Sequence, residues 1–262
     1  MPQHTALISN ADAAVPVYLF TTETWSEDAD LPNGLAALAK AQAFDGGVGQ
    51  MVIGATDTGE ISGVLFGLGK GTDALGLASL SAKLKAGDYR LANIEDAALA
   101  AHAIAWADGA YRFDRYLKTP AEPPRLVVGA DESGQAIIRE GVAIDRLRDM
   151  VNTPAEDMGP PEIQGTISDL AERYGATLET VIGDALLDQN YPMVHAVGRA
   201  GPEAPRIMEL SWGDTSHPQL AIVGKGVAFD TGGLNLKTGN YMRLMKKDMG
   251  GSACVLALAM MI

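Results

Sequence analysis

Ahead of Gly224 the chain runs through four apolar residues, Leu220 to Val223, and then enters GKGVAFDTGGLNLKTGNYMRLMKKDMGG. Lys225, Asp230, Lys237 and Asp248 stand in that glycine-rich segment, with small or apolar residues filling most of the space between them. A strand buried in a parallel sheet reads as such an unbroken apolar run, and open α/β sheets gather their ligands beyond the carboxyl ends of their strands. A charge withdrawn from water must meet an opposite charge or a metal ion. The segment therefore predicts a cation site at the end of a sheet strand, built from buried lysine and aspartate, in an α/β protein.

The remainder of the chain agrees with that class, because short apolar strands alternate with helical periods. Met51 to Ile53, Val64 to Leu68 and Arg125 to Gly129 read as strands. Leu77, Leu80 and Leu84 recur at helical spacing, as do Leu99, Ala103, Trp106 and Ala110. These elements predict an N-terminal α/β domain over residues 1–134, with a second domain over 135–262 that opens on a linker helix. That helix carries Ile137, Ile144, Leu147 and Val151 on one face, and Pro154 ends it by driving Thr153 out of the helical region. Pro160 and Pro161 start another helix, with Ile163, Ile167, Leu170 and Tyr174 as its apolar face and Gly175 as its stop. Met208, Leu210 and Trp212 alternate as a strand does.

Composition narrows the functional classes. A net charge of −13, from 33 acidic and 20 basic side chains, disfavours nucleic acid, whose phosphates need clustered lysine and arginine. The single cysteine, Cys254, cannot form an intrachain disulfide; it falls in an apolar helical run and is expected in the core. The first basic residue is Lys40 and no apolar run is long enough to span a bilayer, so a cytoplasmic location without a membrane anchor is expected. GVLFGLGKGT has five residues between Gly63 and Gly69 and no Ser or Thr directly after Lys70, which departs from a phosphate-binding loop. His4, His102, His195 and His217 form no metal-binding spacing and read as structural, while Lys246 and Lys247 read as solvated.

Four residues separate Lys225 from Asp230, six separate Asp230 from Lys237 and ten separate Lys237 from Asp248. This pattern, with VNTPAEDMGPPEI, YPMVHAVGRA and PRIMELSW upstream, resembles the leucyl (cytosol) aminopeptidase family from about Ile137 onward. The resemblance implies an α/β zinc-exopeptidase-like catalytic domain after the N-terminal one, and hydrolysis of the N-terminal residue of peptides by water activated between two divalent metals. Zinc, manganese and magnesium are all compatible with the donors. By the same resemblance Lys225, Asp230 and Asp248 are metal ligands, with Asp230 bridging the two ions. Lys237 holds the substrate carbonyl oxygen as charge develops there, and Met245 lines the pocket for the N-terminal side chain. A bicarbonate held by an arginine, peptide substrates with a free N-terminus and a homohexamer are implied as well. The family's Asn-Thr-Asp-Ala-Glu-Gly-Arg run is missing from these residues. The sequence is accordingly read as the front portion of such an enzyme, and this stretch alone is expected to be inactive. The alternative is a non-catalytic structural or regulatory protein on the same fold, favoured if the natural chain ends at Ile262.

Overall fold

The computed structural model describes residues 6–71, 73 and 75–262; His4 lies outside them. The chain divides into two compact units, Met1–Asp145 and Arg146–Ile262.

The first unit contains β1 (Leu7–Ile8), β2 (Val15–Phe20), α1 (Asn33–Ala41), β3 (Met51–Ala55), β4 (Ile61–Gly67), α2 (Ala78–Ser81), β5 (Gly87–Leu91), α3 (Asp96–Ala110), β6 (Pro124–Val127) and most of α4 (Glu132–Asn152). Its six strands form one sheet in the order β1-β6-β5-β2-β4-β3. The pairings are parallel except that of β3 with β4. Val17, Val64, Phe66, Tyr89 and Leu126 pack with Leu77, Leu80, Ala103, Trp106 and Ala110, so the two predicted helical stripes close one core. Trp106 is fully buried there, and its indole N–H finds an acceptor in the Pro124 carbonyl at 3.0 Å. A smaller core joins Phe20, Val52 and Leu65 to Leu35 and Ala39 of α1.

The second unit takes up the end of α4 and continues through α5 (Pro160–Tyr174), β7 (Thr177–Ile182), α6 (Ala185–Asp188), α7 (Pro192–Gly198), β8 (Arg206–Ser211), α8 (Gly239–Met242), a 3-10 turn (Met245–Met249) and α9 (Gly250–Met261). At the start of α5 the Gly159 N–H donates to Glu162 Oε2 at 3.0 Å, and the helix stops at Gly175, whose φ of 65° suits a residue without a β-carbon. Ile163, Ile167 and Leu170 are buried as their spacing requires, whereas Tyr174 is largely exposed and its carbonyl accepts the Trp212 indole N–H. β7 and β8 pair antiparallel.

Three sequence expectations change here. The run Leu220 to Val223 is not a strand: it is coil, with Leu220 81% and Val223 92% exposed. A strand exists only through hydrogen bonds to a neighbour, and no described segment pairs with this one. The charges that follow it are accordingly half-exposed rather than buried. Cys254 is exposed, because the buried side of α9 is formed by Ala253, Leu256, Ala257 and Met260. That helix is apolar all round, so periodicity could not say which side would face inward.

Candidate metal centre

Lys225 is placed by its backbone. Its carbonyl accepts the Ser252 N–H at 2.8 Å, and the Ser252 hydroxyl donates to the Gly224 carbonyl at 3.3 Å. The first turn of a helix has N–H groups without intrahelical partners, and here the coil segment 224–225 supplies an acceptor for one of them. The approach is close enough to demand glycine: a β-carbon on Gly251 would lie 2.9 Å from the Lys225 nitrogen. Five residues on, the chain turns at Asp230 to Gly233, and the Lys237 N–H returns to the Thr231 carbonyl at 2.9 Å. Asp248 enters from the 3-10 turn.

These segments bring the four charges together as two ion pairs. Lys237 Nζ lies 3.0 Å from Asp230 Oδ2, and Asp230 Oδ1 accepts the Gly232 N–H at 2.7 Å. The Gly232 N–H, then Lys237, and further off Lys225, hold the Asp230 carboxyl below the usual carboxylate range, so it is ionised at neutral pH. Lys225 Nζ lies 2.8 Å from both oxygens of Asp248. The aligned hydrogen bond goes to Oδ1. Oδ2 is within ion-pair distance, yet it is buried with no donor aligned to it among the described residues.

Side-chain exposure is 58% for Lys225, 20% for Asp248, 29% for Lys237 and 35% for Asp230. Ion pairs this open to water are screened and add little to stability. Four charges assembled for so little stability are available for chemistry: carboxylate oxygens are hard donors for divalent cations, and an ammonium held beside them can serve an oxygen that gains negative charge. Among the described residues no three His, Cys, Asp or Glu side chains gather as a cation cage. Two carboxylates and two amines are what this stretch brings together.

Met245 begins the 3-10 turn and is half-buried. The turn repeats every three residues, which puts Met245 and Asp248 on one side. The Lys246 ammonium, expected in solvent, instead donates to the Val151 and Asn152 carbonyls at 2.9 and 2.6 Å. Burial holds its pKa below the usual lysine value. No local signal marks this residue, because its acceptors lie 94 and 95 positions away. Lys247 is exposed, as expected. An open groove in the first unit, of about 580 Å³ and lined by Tyr18, Asp28, Asp30, Arg90 and Asn93 among others, contains none of these residues.

Comparison with known proteins identifies both units. The family model described as the cytosol aminopeptidase family, catalytic domain, matches residues 146–262, and that of the M17 aminopeptidase N-terminal domain matches residues 16–129. The chain belongs to the M17 cytosol aminopeptidase family. Peptidase B of Enterobacter sp. (strain 638) is 38% identical over 133 residues, which are 48% of this chain and 31% of that protein. The crystal structure of the cytosol aminopeptidase from Coxiella burnetii is 31% identical with a TM-score of 0.84, covering 98% of this chain and 57% of that one. The bottromycin maturation enzyme BotP in complex with Mn is 27% identical, with a TM-score of 0.75 and coverages of 95% and 56%. This chain thus spans a little over half the length of those two solved structures. The mixed α/β architecture, an N-terminal domain followed by residues of the catalytic domain, is the family's. No helix among the described residues is long and apolar enough to cross a membrane.

Proposed function

We propose that the protein is a metal-dependent aminopeptidase that removes the N-terminal residue, leucine-like or other, from peptides. Lys225, Asp230 and Asp248 would hold part of a two-ion centre of zinc, manganese or magnesium; the manganese in BotP supports the second of these. The observation that carries the reading is the pairing of Lys225 with Asp248 and of Lys237 with Asp230 inside the stretch that matches the catalytic domain. The donor set suits hard divalent ions, and Asp248 Oδ2 is a buried carboxylate oxygen met by the Lys225 ammonium at 2.8 Å.

Bound there, divalent ions supply Lewis acidity and lower the pKa of water toward neutrality. The protein's own part is positioning and charge. Asp230 stays anionic because the Gly232 N–H and Lys237 stabilise its charged form. Lys237 offers three N–H donors and spends one on Asp230, so the others can reach the oxygen of a peptide carbonyl as it becomes anionic. Met245, on the Asp248 side of the turn, would contact the side chain of the residue removed. The domain division at residues 134 and 135, a homohexamer, a cytoplasmic location and a bicarbonate bound by residues outside this stretch are parts of the same proposal.

The test is Asp230→Ala in the full-length protein, assayed on leucine amide with the bound metal measured by elemental analysis. Turnover should be lost and metal content should fall. A variant that keeps both its ions and its activity would refute the assignment.

A further inference from the structure

We infer that Lys246 is a positioning residue, which caps the carboxyl end of α4 and thereby fixes the roll of the 3-10 turn that presents Asp248 and Met245. The inference rests on the proposed role of Asp248 and goes beyond it, because Lys246 is assigned no contact with metal or substrate.

The turn Met245–Met249 has three residues per repeat, so its side chains fall into three columns. Met245 and Asp248 form one, both half-buried. Lys246 and Met249 form the second, and Met249 is fully buried. Lys247, alone in the third, faces solvent. The second column is the anchor. Met249 sets the depth of the turn by apolar burial, which is non-directional and tolerates rotation. Lys246 removes that freedom, since its ammonium must reach two particular carbonyls, those of Val151 and Asn152, at 2.9 and 2.6 Å.

Those carbonyls belong to the last two residues of α4, where a helix leaves acceptors unpaired and its dipole is negative. A cation satisfies both needs at once. Continuity then runs from α4 through Lys246 to Asp248, from Asp248 to Lys225 at 2.8 Å, and from the Lys225 carbonyl to Ser252 in α9 at 2.8 Å. A change in the roll of the turn would swing Asp248 away from Lys225 while leaving Met249 in the core.

The experiment compares Lys246→Met, which keeps the stem and removes the donors, with Lys246→Arg, which keeps charge and donors, in the full-length protein. Titration calorimetry with Mn²⁺ alone should show K246M binding about 10- to 100-fold more weakly, with K246R restoring most of the affinity. Urea unfolding is recorded beside it, because a purely structural cap would lower the unfolding midpoint and leave Mn²⁺ affinity unchanged, which overturns the proposal. Should K246M not fold, Lys246→Gln serves as the milder variant, and wild-type affinity in K246Q overturns it equally. If the wild type itself binds no Mn²⁺, the metal reading fails. The positioning role is then decided by the crystal structure of K246M or K246Q, where an unmoved Lys225–Asp248 pair would refute it.

Discussion

Gly251→Ala, set against Gly250→Ala, tests the packing that holds Lys225 in place. A β-carbon at position 251 would lie 2.9 Å from the Lys225 nitrogen and 3.3 Å from both its β-carbon and its carbonyl oxygen. Two of those neighbours are backbone atoms, so relief requires the 224–225 segment to retreat from α9. Retreat also stretches the 2.8 Å hydrogen bond from the Ser252 N–H to the Lys225 carbonyl. Overpacking of this kind costs about 1–3 kcal/mol and the weakened hydrogen bond about 0.5–1.5 kcal/mol. Alanine's better helix propensity returns at most about 1 kcal/mol, so the variant should lose about 2 kcal/mol. At position 250 the new β-carbon would meet only Val151 Cγ2, at 3.8 Å, an ordinary contact. Propensity then decides the sign, and Gly250→Ala should be neutral or up to about 1 kcal/mol more stable. With a slope of about 1–3 kcal/mol per molar urea, the two midpoints should differ by about 1 M or more. Equal midpoints would show that the Lys225 segment yields freely, and the claim that Gly251 fixes it would fall.

Two further outcomes follow from the same structure. Lys237→Ala should lower kcat by about 10²-fold or more in the full-length enzyme without loss of bound metal, as expected of a group that acts mainly on the transition state; a variant stripped of its ions would instead make Lys237 a ligand. Burial depresses the pKa of the His102 imidazole, so the fold keeps it neutral at a pH where the unfolded chain, with an ordinary value of about 6.5, already takes up a proton. Its contribution to stability is present above that pH and is lost as pH falls through the depressed folded value. His102→Gln should flatten this part of the pH dependence, read from urea midpoints at about pH 5 and 7.5, and an unchanged acid loss in the variant would assign the effect to other groups.

Much of the fold was legible in the sequence wherever the deciding interactions are short-range. The buried positions of α5 follow from the spacing of Ile163, Ile167 and Leu170, and its ends from Pro160 and from Gly175, which alone tolerates the left-handed turn at no steric cost. Leu77, Leu80, Ala103, Trp106 and Ala110 mark the core of the first unit for the same reason: a helix repeats within a few residues. The grouping of Lys225, Asp230, Lys237 and Asp248 could be anticipated because the four share one segment.

Tertiary structure decided the rest, and in each case the partner lies far along the chain or must be supplied by a neighbour. Leu220 to Val223 has the composition of a buried strand, but without a paired strand it is exposed coil. Cys254 lies on a helix apolar on every side, so only packing could choose its buried face. Lys246 carries the same charge as Lys247 beside it; the carbonyls at the end of α4 turn one inward and leave the other in water. Which lysine pairs with which aspartate is likewise a matter of three-dimensional approach. Lys225 reaches past the nearer Asp230 to Asp248, because the first turn of α9 holds its backbone there and Gly251 leaves room for it.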